Sequence, residues 1–160
     1  MAKAKKRKKT AGRRPTRKGI PKAHILVVDD EADFARMIQT SLSQAGYRVD
    51  AVASASQAIT LQRRSSYDLA LVDMRMPEMT GLELLQLLKA RDKRIFVMVM
   101  TAYGSFTIGI ESLRRGACDY LAKPFRLGAL KVKVAEALHR RAQYLEEQRF
   151  HPQSAAEDEL

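Results

Sequence analysis

Five short stretches rich in apolar residues, 24–28, 47–52, 69–72, 95–100 and 118–121, alternate with segments of helical periodicity. Most of them do not alternate apolar with polar positions, which is the pattern of strands covered on both faces. Helices that cover both faces of a sheet require parallel strands joined by crossovers. Right-handed crossovers then select a doubly wound α/β sheet of five strands and five helices.

The helices carry their own boundary signals. Phe34, Met37, Ile38 and Leu42 share a face ahead of Gly46, the residue type that closes helices in the left-handed conformation. Ser54 with Gln57, and Thr80 with Glu83, have the capping-box spacing that opens a helix. A fourth helix over 105–115 is interrupted by Gly109, and a glycine inside a helix costs about 0.5–1 kcal/mol relative to alanine. Alanine at 109 is therefore expected to slow amide exchange across that helix. The last helix opens at Leu127 and runs toward Leu145.

Charge divides the chain. Eleven of its 29 Lys and Arg residues lie in 1–22 with no acid among them, leaving 18 basic against 18 acidic residues elsewhere. The net charge of +11 thus belongs to the N-terminal segment. With Gly12, Pro15, Gly19 and Pro21 and little to bury, that segment is expected to be disordered. It suits weak polyanion or nucleic-acid binding through counterion release. No aromatic residue interleaves the charges, so base stacking has no support. Residues 23–145 form the expected domain, followed over 146–160 by a helix end and a flexible C-terminus. Cys118 is the only cysteine, no apolar run approaches a membrane span, and no hydrophobic segment follows the basic start as in a secretory signal. A cytoplasmic protein is expected.

The polar residues at the strand ends carry the chemistry. Asp29 and Asp30 follow the first strand, Asp73 the third and Thr101 the fourth, and Lys123 lies a little past the fifth. In an open parallel sheet these positions converge on one edge, where such folds bind ligands. Three carboxylates together repel and call for a cation, and an all-oxygen set suits Mg²⁺, with Mn²⁺ able to substitute. A cation and a lysine beside one carboxylate suit a phosphoryl group carried on Asp73, with Thr101 donating to a phosphoryl oxygen. Each residue alone has a plainer role as turn, cap or solvated charge; the joint placement favours the site.

These residues lie in runs that resemble the receiver domain of two-component response regulators. The resemblance spans about 23–145 and rests on Ile25-Leu26-Val27-Val28-Asp29-Asp30-Glu31, on Leu71-Val72-Asp73-Met74-Arg75-Met76-Pro77, and on Met79-Thr80-Gly81. It continues in Met100-Thr101-Ala102-Tyr103-Gly104 and in Gly116 to Phe125, the last two runs being most similar to nitrogen-regulator-type receivers. The resemblance implies a flavodoxin-like fold with strand order 2-1-3-4-5. It implies that Asp73 accepts a phosphoryl group from a phosphohistidine on a sensor histidine kinase or phosphotransfer protein. Asp30, Asp73 and the backbone carbonyl of Arg75 would hold Mg²⁺ directly, and Asp29 through water. Thr101 and Lys123 would hold phosphoryl oxygens, while Thr101 and Tyr120 would form the switch read by an output partner. Tyr120 could equally be a half-buried strand residue.

The resemblance also implies that Arg75 and Tyr103 flank the site at positions that influence water attack, and their bulk predicts a phosphorylated form lasting minutes rather than seconds. No ATPase or DNA-binding domain follows, so the expectation is a single-domain receiver or a fragment; the last helix could pair with a second copy. The rivals are an aspartate-nucleophile phosphatase, which needs an acid where Arg75 stands, and a flavin module, whose phosphate Asp29-Asp30 would repel. A switch rather than a turnover enzyme is expected. A third alternative is a nucleic-acid binder acting through 1–22 and regulated by the receiver.

Overall fold

A computed structural model describes residues 22–102 and 106–151; residues 1–21, Tyr103 and 152–160, with the expectations attached to them, lie outside the described residues. The elements run β1 (His24–Val28), α1 (Ala32–Gln44), β2 (Arg48–Val52), α2 (Ala55–Arg64) and β3 (Leu69–Asp73). They continue α3 (Gly81–Arg91), β4 (Phe96–Thr101), α4 (Phe106–Arg114), β5 (Asp119–Ala122) and α5 (Leu127–Phe150). All pairs are parallel and the order is β2-β1-β3-β4-β5, as expected. The order reverses between β1 and β3, and a parallel sheet opens a crevice at the carboxyl ends of two such strands.

Alternate residues of each strand point to opposite faces, and both faces are covered. Ile25, Val27, Leu69, Leu71, Met98 and Met100 meet Ile38 and Leu42 of α1 and Leu130 and Val134 of α5. Leu26, Val28, Ala70, Val72, Val97 and Val99 meet Ala58 of α2 and Leu84, Leu85 and Leu88 of α3. Every one of these strand residues is 0% exposed, which explains why the sequence runs lack alternation. Burying each Val or Leu contributes about 1.5–3 kcal/mol, so the register of the three central strands is strongly determined.

The boundary signals hold with local differences. Gly46 takes φ +99°, and Thr80 and Glu83 make both reciprocal hydrogen bonds of the capping box. At α2 only half the box forms. The Ser54 hydroxyl accepts from the Gln57 amide, but the Gln57 side chain accepts from Ala53 rather than from Ser54. Asp73 and Thr101 are the last residues of β3 and β4, not the first beyond them, so strand pairing anchors both backbones. The helix opening at Leu127 continues unbroken past Leu145 to Phe150.

At the opposite edge of the sheet the chain closes around Asp50. One carboxylate oxygen accepts from the Tyr67 hydroxyl (2.7 Å) and pairs with His24 Nε2 (2.8 Å), while His24 Nδ1 lies 3.0 Å from the Ser66 carbonyl. Burial alone would raise the Asp50 carboxyl, yet the hydrogen bonds from Tyr67 and His24 hold it below its ordinary value. A depressed carboxyl stabilises the fold above the ordinary carboxylate range near 4 and loses that contribution as pH falls through its lower folded value. Tyr67→Phe is expected to cost about 1 kcal/mol in urea unfolding and to raise the pH of acid unfolding. An unchanged acid midpoint would show that the Asp50 network contributes nothing to stability.

Candidate functional site

The carboxyl end of the sheet brings Asp29, Asp30, Asp73 and Lys123 together from the ends of two strands, β1 and β3, and the segment after a third, β5. Asp29 is fully buried, and its amide donates to the Val52 carbonyl, continuing the β1–β2 ladder by one residue. One of its carboxylate oxygens accepts from the Glu31 amide at 3.0 Å, and the other from Lys123 Nζ at 2.7 Å. The same ammonium lies 3.4 Å from Asp73, so one cation bridges two carboxylates. Oxygens of Asp29, Asp30 and Asp73 fall within 4.8 Å of one another, with Asp30 the exposed member.

Electrostatics follow from this crowding. Burial and then the charge of Asp29 push the Asp73 carboxyl up to about 6, outweighing the pull of Lys123. The Lys123 ammonium is raised as well: burial would lower it, but hydrogen bonding and attraction from Asp29, then Asp73, outweigh that effect. One ammonium therefore leaves the three acids under-neutralised, and the hard oxygen donors fit a divalent cation such as Mg²⁺.

The surrounding chain fixes these groups. Lys123 donates its amide to the Thr101 carbonyl at 2.6 Å, which ties the segment after β5 to the end of β4. A small cavity of about 260 Å³ opens beside the acids, with Asp73, Thr101, Arg75 and Lys123 on its wall. Thr101 is 1% exposed, and among the described residues its hydroxyl makes only a long 3.4 Å contact with the Ala102 carbonyl, so a better acceptor arriving in the cavity would capture it. The Arg75 side chain is exposed; its backbone pairs with Thr80 and closes the loop below Asp73.

Two contributors were not assigned from sequence. Gly81 stands so close to β3 that an added Cβ would lie 2.5 Å from the Asp73 carbonyl oxygen and 2.9 Å from the Met74 Cα. Neither backbone atom can yield, so any larger residue there displaces Asp73. The Met79-Thr80-Gly81 run was the available signal, but it read as a helix start. Phe34 places its ring 4.4 Å beneath the Lys123 ammonium and packs edge-on against Phe125. In sequence it was indistinguishable from a core residue of α1.

Tyr120 is half-buried on β5, two residues before Ala122, the register partner of Thr101. Its ring rests on α4 at Gly109, where an added Cβ would meet three ring carbons at 2.7–2.8 Å. Gly109 is therefore a seat for the ring rather than a loosening of the helix, and the expectation from propensity is reversed.

The response regulator receiver domain pattern matches residues 25–135, and the chain belongs to that family. It is 41% identical over 114 residues to the transcriptional regulatory protein ZraR of Klebsiella oxytoca, covering 71% of this chain and 26% of that protein. It is 38% identical over 122 residues to the response regulator PilR of Pseudomonas aeruginosa, covering 76% and 27% respectively. The chain thus matches about a quarter of those relatives' lengths. Among solved structures, the NtrX protein of Brucella abortus superposes with TM-score 0.76 at 27% identity, covering 79% of this chain and 29% of that one. The receiver domain of Francisella response regulator 1452 gives TM-score 0.69 at 30% identity, covering 74% and 98%. The fold is the flavodoxin-like receiver fold, and similarity to ZraR and NtrX sets the chain with receivers of the nitrogen-regulator type.

Two outcomes follow from the geometry. The raised Asp73 carboxyl means that folding loses stability as pH rises through the window from about 4 to about 6, and a cation bound only by the folded form restores it. Millimolar Mg²⁺ should raise the thermal midpoint at pH 7.5 and much less at pH 5; equal shifts would contradict the assignment of the cation to the acid cluster. For Gly109→Ala, helix propensity contributes about 0.5–1 kcal/mol, whereas overpacking costs typically about 1–3 kcal/mol. The clash wins, so the Tyr120 ring resonances should shift and exchange in 106–114 should not slow. Slower exchange with unmoved Tyr120 resonances would restore the propensity argument.

Proposed function

We propose that Asp73 is the phosphoacceptor of a signalling switch. Its carboxylate oxygen attacks the phosphorus of a phosphohistidine on a sensor histidine kinase or histidine phosphotransfer protein. The P–O bond forms as the P–N bond breaks, and the imidazole leaves with the bonding pair. The observation that carries this reading is the Lys123 ammonium bridging Asp29 and Asp73 at the mouth of the crevice, beside a threonine hydroxyl without a good acceptor.

Lys123 and Thr101 hold phosphoryl oxygens. Asp30, Asp73 and the Arg75 backbone carbonyl would hold Mg²⁺, or Mn²⁺ in its place, with Asp29 acting through water. Such a cation would supply positive charge to the phosphoryl oxygens. When the Thr101 hydroxyl turns to the phosphoryl group, the space beside it changes and Tyr120 rearranges. The surface of α4, β5 and α5 is then presented differently to an output partner or a second copy.

The protein works as a switch with slow self-dephosphorylation rather than as a turnover enzyme. The position two residues after Asp73, which a phosphatase of the aspartate-nucleophile type fills with an acid, holds Arg75. Arg75 lines the cavity beside Asp73 and restricts water there, and the phosphorylated form persists for minutes. Among the described residues no helix is long and apolar enough to cross a membrane, and a cytoplasmic location accords with the partners proposed. Residues 23–145 act as the receiver, with 1–22 and 146–160 flanking it. A second reading rests on the confinement of eleven cations to 1–22. In it that segment binds a polyanion or nucleic acid in a salt-dependent way under control of the receiver.

Incubation with an acyl phosphate or phosphoramidate and Mg²⁺, followed by intact mass measurement, tests the central reading. Wild type should gain one phosphoryl adduct that decays over minutes after donor removal, and Asp73→Asn should gain none. An adduct on both proteins, or on neither, would sink the assignment.

A further inference from the structure

The opposite edge of the sheet, one length of β4 away from Asp73, carries a second cavity. It measures about 370 Å³ and is lined by Lys89, Lys93, Phe96, Gly116, Cys118, Arg140 and Tyr144. Lys89 and Arg140 bring cationic side chains to it, and among the described residues none of its lining is acidic. The volume falls within the range of roughly 300–1,000 Å³ that holds small organic ligands.

The two cations whose contacts are defined are bonded without being neutralised. The half-buried Lys89 ammonium donates to the Ile95 carbonyl at 3.1 Å. Arg140 donates to the Cys118 carbonyl at 3.1 Å and comes only within 3.9 Å of Asp119. That carboxylate is already taken by Lys133 at 3.1 Å and by the Tyr120 amide at 2.8 Å. Asp92, the acid near Lys89, is turned toward Arg94. Carbonyls satisfy the donors but carry no net charge, so positive potential remains in a partly dehydrated site. Burial pulls the Lys89 ammonium below its ordinary value and pushes the Cys118 thiol up to about 11, so the thiol adds no counter-charge.

The apolar part of the cavity has a defined shape as well. The Phe96 and Tyr144 rings stand 5.9 Å apart at 52°, and Lys89 lies 5.8 Å from the Phe96 centroid. Gly116, in the left-handed conformation at φ +101°, lines the cavity against the Lys89 side chain. Cations next to a ring pair of which Tyr144 is the exposed member match an anion attached to a flat body.

We infer that this cavity binds a small phosphomonoester carried on a planar ring, the chemistry of a nucleoside monophosphate, with the phosphate at Lys89 and Arg140 and the ring against Tyr144 and Phe96. It is a ligand site separate from the acid cluster. The cavity abuts the start of β4 and of β5, whose other ends carry Thr101 and Lys123, so occupancy of one edge and the state of the other share two strands.

The test uses the full chain in EDTA, so that the acid cluster cannot recruit a metal–nucleotide complex. Adenosine monophosphate, adenosine and inorganic phosphate are titrated separately and followed by amide resonances. Saturable binding of the monophosphate is expected, with resonances of 89, 96, 118 and 144 moving. Adenosine and phosphate alone should each bind about tenfold more weakly or worse, and Lys89→Gln and Arg140→Gln should each weaken the monophosphate by a similar factor. Both variants should still accept a phosphoryl group at Asp73, which reports an intact fold. No saturation, equal binding by inorganic phosphate, or unchanged binding in both variants would overturn the inference. The last result would locate the nucleotide on the basic segment 1–22 instead.

Discussion

The structure turns on one ammonium between two carboxylates. Lys123 reaches Asp29 and Asp73 from the segment after β5, although those acids lie at the ends of β1 and β3. Without that cation three acids within 4.8 Å would face each other at a partly buried edge, a cost that grows as water is excluded. With it the cluster is only partly neutralised, and the residual excess leaves Asp73 raised and the site receptive to a further cation. The same contact therefore makes the site tolerable without neutralising it.

Holding such a cluster demands a stiff frame. The three central strands bury every side chain along their cores, so Asp73 and Thr101 are presented by backbones that cannot slide. Gly81 adds close contact of α3 with the Asp73 carbonyl, and Phe34 places a ring under the Lys123 chain. Rigidity ends at α4. It rests on β5 through the Tyr120 ring at Gly109, and Ser112 bonds back to the Ile108 carbonyl within the helix. Such back-bonding is a mild destabiliser of helices. Helix α4 is thus attached by a ring in a notch rather than by a deep core.

Much of this was legible before the structure. Uninterrupted apolar runs over 24–28, 69–72 and 95–100 demand burial on two faces, and only parallel crossovers provide it. The strand-end acids, Thr101 and Lys123 were readable because a parallel sheet gathers all its carboxyl ends on one edge. The errors were local and had one origin. Gly109 read as a defect because propensity describes a helix in isolation, and the Gln57 side chain read as a completed box because spacing does not specify which amide it reaches.

The sequence by itself determined the period of each element, the parallel sheet and the identity of the groups at its active edge. These depend on local patterning and on topology rules that need no coordinates. Only the tertiary structure decided which carboxylate Lys123 approaches more closely, why 81 and 109 are glycine, and that Lys89, Arg140 and two rings line a cavity at the far edge. Those facts rest on distances of a few ångströms between residues far apart in the chain. Van der Waals repulsion and Coulomb interaction change sharply over that range, whereas sequence patterns average over it.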